Sequence, residues 1–105
     1  MDRVTFVLKF DQVGVPGSAA TLWLDTSRDD VIQPGEEVTM ATIDGKVWLA
    51  DRELSATAGM QFLVKFIAPI GAAWSFAAKT SDRTLYEVAN QQMTTVKESL
   101  AGRLS

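Results

Sequence analysis

Oxygen-bearing side chains gather in one stretch of the chain. Asp25, Ser27, Asp29, Ile32 and Glu36 fall at the first, third, fifth, eighth and twelfth positions of a calcium-loop spacing, and oxygen ligands so spaced can surround a hard cation. The sixth position of such a loop turns sharply and calls for glycine, but here it is Asp30; Pro34-Gly35 also stands where a helix should begin. The expectation is an acidic, solvated loop without a metal. Asp29-Asp30 and Glu36-Glu37 are adjacent carboxylates. Glycosidic acid–base chemistry sets its two carboxylates across a substrate, typically about 5 to 9 Å apart, and neighbours in a polar loop give no reason to expect that geometry. The chain has no histidine and no cysteine. The commonest general base, the usual zinc ligands, every disulfide and both the Ser-His-Asp and Cys-His arrangements are thereby removed. The reading is non-catalytic, with no cofactor.

The remaining composition narrows the class further. A chain of 105 residues suits a single domain, 1–105. At 47% hydrophobic and 22% charged it can build a core and is not disordered. A net charge of −3 opposes a phosphate backbone, so no nucleic acid partner is expected. No apolar run approaches the roughly 20 residues that span a bilayer, and the first residues lack a signal-peptide pattern. The chain reads as soluble and cytoplasmic, with no membrane partner.

The elements that must carry any surface site are strands. Val4, Phe6, Leu8 and Phe10 alternate with Thr5 and Lys9, the period-two signature of a half-buried strand. The same logic predicts strands at 3–10, 19–25, 37–43, 46–54, 60–67, 72–77 and 84–89. Turn chemistry separates them: Val13 to Ser18 with its Pro and Gly residues, Asp44-Gly45 as a tight hairpin, Ser55 to Gly59, and Ala68-Pro69-Ile70-Gly71 as a second hairpin. Residues 90–105 stay open. Leu85, Val88, Ala89, Gln92, Met93, Val96 and Leu100 fit a helical stripe, while Thr94 to Leu100 also alternates as a strand. The need to cover a sheet edge favours the strand. The fold class expected is an all-β antiparallel sandwich of seven to eight strands, with Phe6, Leu8, Leu22, Leu24, Trp48, Phe62, Val64 and Phe66 in its core.

From Asp44 onward a longer pattern runs. Asp44-Gly45-Lys46-Val47-Trp48 is followed by Leu54, Ala58-Gly59, Phe62-Leu63-Val64-Lys65-Phe66-Ile67, Trp74, and Asp82-Arg83 with Tyr86. This half of the chain resembles the starch-binding domains attached to amylases and glucoamylases, and the glycogen-binding modules of kinase regulatory subunits are similar. The resemblance implies an immunoglobulin-like sandwich and an α-glucan partner, gripped by two exposed tryptophans with a lysine and an asparagine. Trp74 and Lys65 stand at the positions of the second tryptophan and the lysine. The loop that would hold the first tryptophan reads Thr26-Ser27-Arg28-Asp29-Asp30 and has no aromatic, and the asparagine is also missing.

Two readings follow for Trp74 and Lys65. As a platform, the indole would stack on the apolar face of a sugar ring, and the ammonium would donate to its hydroxyls. As ordinary sandwich residues, Trp74 would pack in the core and Lys65 would be a solvated strand residue. Trp48 reads as a core anchor, with Arg52 awkwardly on the same inward parity. Trp23 reads either as part of a second, covered sheet face or as an exposed contact. The leading function is a carbohydrate-binding module for starch- or glycogen-type α-glucan. Its rival is a protein-interaction or structural sandwich that has lost the sugar site.

Overall fold

The computed structural model describes residues 2–11, 19–42 and 44–105; the turn expected at Val13 to Ser18 lies outside them. Nine strands follow in chain order: β1 Asp2–Phe10, β2 Ala20–Leu24, β3 Glu37–Thr39, β4 Ala41–Thr42, β5 Val47–Leu54, β6 Gln61–Ile67, β7 Ala73–Lys79, β8 Thr84–Gln92 and β9 Lys97–Arg103. They form two antiparallel sheets packed as a sandwich. A five-stranded sheet has the order β4-β5-β1-β7-β8, and a four-stranded sheet the order β3-β2-β6-β9. No helix among the described residues is long and apolar enough to cross a membrane.

The alternation read in the sequence is what closes this sandwich. Val4, Phe6 and Leu8 of β1 and Phe76 of β7 point from the larger sheet toward Leu22, Leu24, Phe62, Val64 and Phe66 of the smaller one, and all are buried. The sheets meet through aromatic pairs. Phe62 stacks on Phe76 with centroids 5.4 Å apart, and Tyr86 meets Phe62 edge-on at 4.8 Å. Each buried phenylalanine contributes about 1.5–3 kcal/mol from area removed from water. Trp48 is in the core, as expected. Arg52 shares its parity yet is exposed. The reason is local: β4 pairs only with Trp48 and Leu49, so at Arg52 strand β5 is already an edge and the guanidinium reaches water.

Two expectations are corrected. The single strand expected at 37–43 is two short strands in different sheets: β3 pairs with β2, β4 pairs with β5, and buried Met40 lies between them. Ile43 lies outside the described residues. The turn Ala68 to Gly71 does not close a hairpin, because β6 pairs with β2 and β9 while β7 pairs with β1 and β8. It carries the chain from one sheet to the other, through an Ala72 N–H donated to the Pro69 carbonyl at 3.1 Å and a Gly71 at φ 87°. Positive φ there suits a residue without Cβ. Of the two readings left open for the C-terminal stretch, the strand forms: β9 pairs along its whole length with β6.

Candidate functional site

Alternation decides where Trp74 and Lys65 point. Trp74 is on β7 and shares parity with Phe76 and Ala78, which face the interior. Its side chain is only 7% exposed, and its ring meets Phe66 edge-on at 4.9 Å. Lys65 is on β6, with parity opposite to Val64 and Phe66, and is exposed on the outer face of the smaller sheet. The two residues therefore belong to different sheets and opposite faces, and the structure does not bring them together. Of the two readings given for Trp74, its burial is that of a core residue: the strand between the β6–β7 turn and the bulge near Ser75 holds its indole inward.

Lys65 has a different aromatic neighbour. Its Nζ sits 5.6 Å from the centroid of the Trp23 ring, a cation–π contact of about 0.5–1 kcal/mol at an exposed site. Trp23 is half-buried on that same outer face of the smaller sheet. Across the strands it stands in a row with Glu37, Leu63 and Ala101. Thr21, Lys65 and Ser99 form the next row.

The acidic stretch folds into a clasp. One carboxylate oxygen each from Asp25, Asp29 and Glu36 lies within 4.8 Å of the others, so the spacing noticed in the sequence does bring these groups together. Asp30 adopts φ 62° without being glycine, as does Arg28; aspartate tolerates that region better than most residues. The carboxylates are engaged by donors of their own loop. Asp25, almost wholly buried, accepts the Asp30 N–H at 2.8 Å and the Ser27 hydroxyl at 3.3 Å. Glu36 accepts the Ser27 N–H at 3.1 Å and the Gln33 N–H at 3.0 Å. Asp29 accepts the Val31 N–H at 3.1 Å. These three carboxylates could ligate a hard cation, which would compete with the same donors. Backbone donation from Val31 holds the Asp29 carboxyl below its usual range, and donation from the Ser27 N–H does the same for Glu36. Arg103 ties the clasp to β9 through Asp30 at 2.9 Å.

The sequence reading passed over the outer face of the larger sheet. Val7 pairs with Leu49 on one side and Ala77 on the other; Ala41 pairs with Leu49 and Glu87 with Ala77. The result is a row, Ala41–Leu49–Val7–Ala77–Glu87, that is apolar until its last member. Leu49 is 44% exposed. Val47, Lys9 and Ser75 form the neighbouring row, and the surface between these rows is a shallow depression reaching Ala89. The signal was present: Leu49 must point outward once Trp48 points inward, and Val7 lies between outward Thr5 and Lys9.

In comparisons with known proteins the chain matches no family model, no curated protein and no solved structure.

Proposed function

We propose that this chain is a non-catalytic interaction domain, a sandwich that serves as a rigid support for contact with a protein partner. One observation carries the reading. The tryptophan that the starch-binding resemblance offers to a glucan, Trp74, is part of the core and packs on Phe66. An indole held there has no free face for a sugar ring. Of the remaining platform groups, Lys65 lies over the ring of half-buried Trp23 and occupies the surface on which a sugar would stack. The resemblance then extends to the scaffold and stops short of the ligand. Meanwhile an apolar row stands open on the larger sheet, the kind of surface that proteins use for docking.

Retention on insoluble starch separates this reading from the α-glucan reading. The expected result is no retention of the wild-type domain. Retention that is lost in Trp23→Ala or Lys65→Ala would overturn the proposal and put a glucan on the outer face of the smaller sheet.

A further inference from the structure

We infer that the outer face of the larger sheet is a self-association surface, and that its occupant is a second copy of this chain. The inference rests on the reading of the chain as an interaction domain.

The face has an apolar centre and charges of both signs around it. Leu49, Val7 and Ala77 lie side by side across β5, β1 and β7, with Val47 beside them. Lys9 lies two residues along β1 from Val7, and Thr5 lies two residues the other way, paired with Asp51. Lys79 and Glu87 already form an ion pair at 3.6 Å, as do Arg3 and Glu53 at 3.5 Å. Among the described residues Lys9 has no ion-pair partner, and the Asp51 carboxylate accepts from the Thr5 hydroxyl alone, at 2.6 Å.

A two-fold axis in the interface, running along the Leu49–Val7–Ala77 row, makes these features meet. The row then packs on its own copy. Rotation reverses the strand direction, so the Val47–Lys9–Ser75 row of one copy faces the Asp51–Thr5–Lys79 row of the other; Lys9 comes beside Asp51 and also beside Lys79, whose charge its ion pair with Glu87 offsets, and the reverse holds by symmetry. The unpaired cation and the available carboxylate therefore satisfy each other twice per dimer. A surface with one sign of charge could not do this. The neighbouring sheet's outer face is a poorer candidate, because Lys65 lies across its one large aromatic. Strands of seven to nine residues, set about 4.8 Å apart, give a face on the order of 500 Å². That is below the roughly 800 Å² per partner of a standard interface and suits a weak, reversible pair, with a Kd on the order of 10–100 μM.

Sedimentation velocity from about 10 μM to about 1 mM tests this on the full chain. The expected result is a shift from monomer to dimer across that range. Leu49→Glu should weaken association at least about tenfold while thermal melting stays close to wild type. Lys9→Glu and Asp51→Lys should each weaken it, and the double variant should recover to within about threefold of wild type. Lys9 and Asp51 stand four residues apart along the strands, about 13 Å, so rescue can only act between copies. A wild-type monomer at every concentration overturns the second copy as occupant, yet leaves a different protein partner possible. A dimer that ignores Leu49→Glu overturns this face. A double variant no better than the singles overturns the two-fold arrangement. Failure of the interaction reading itself is scored separately, by sugar-dependent retention on starch.

Discussion

The indole of Trp74 meets Phe66 edge-on and leaves its Nε1 without a hydrogen-bond partner among the described residues. A buried donor without an acceptor costs about 1–3 kcal/mol, whereas the ring fills space that nothing else would. Trp74→Phe should therefore stay within about 1 kcal/mol of wild type, since losing the donor offsets losing area, while Trp74→Ala should cost about 3–5 kcal/mol in urea unfolding. An exposed platform tryptophan would show a small cost in both. The residue scale is also where pH acts. The Asp29 and Glu36 carboxyls are held low by backbone N–H donors. Groups whose folded pKa is depressed stabilise the fold fully above their unfolded pKa and lose that contribution as pH falls through the folded value. The loop's contribution should be intact at neutral pH and fade below about pH 4. Glu36→Gln should flatten that acid limb in a pH series of urea midpoints; an unchanged limb would mean that the clasp does not hold the loop. Sequence spacing showed that Asp25, Asp29 and Glu36 could converge, but it could not show that the loop's own amides fill their lone pairs. The inward direction of Trp74 was legible in the parity it shares with Phe76 on β7, once Phe76 is taken as core.

At the level of elements, period-two alternation was enough to find the long strands, because each buries one face. It failed where an element is short or changes sheet. Residues 37–43 read as one strand because Val38 and Met40 alternate with their neighbours, but only the pairing partners reveal that β3 and β4 serve different sheets. The Ala68 to Gly71 turn is locally indistinguishable from a hairpin for the same reason. Strand β9 was ambiguous because its inward face is weak: Leu100 and Gly102 replace the bulky residues found on other strands. Packing explains the glycine. A Cβ on Gly102 would lie 2.9 Å from Tyr86 Cε2 and 3.0 Å from the Phe62 ring, so the absence of a side chain lets these rings close the sandwich beside β9. Gly102→Ala should cost about 1–3 kcal/mol through overpacking, read from denaturant midpoints. A neutral or stabilising result would show that the two rings have room to move.

For the whole molecule, two sheets share one core and leave two outer faces with different chemistry. The five-stranded sheet presents its apolar row, and the four-stranded sheet presents Trp23 under Lys65. Such a division fits a scaffold that binds through a face. It also explains why fold and site differed in legibility: the core is written in every strand, whereas an outer face is assembled from single residues on several strands whose register the sequence does not state. The three tryptophans, one on an outer face and two in the core, make the direct test possible. The indole N–H signals of Trp23, Trp48 and Trp74 can be followed by NMR as a cyclic maltooligosaccharide is added to millimolar concentration. An interaction domain without a sugar platform predicts that all three signals stay in place. A saturable shift confined to Trp74, or to Trp23, would contradict the account and restore α-glucan as the ligand.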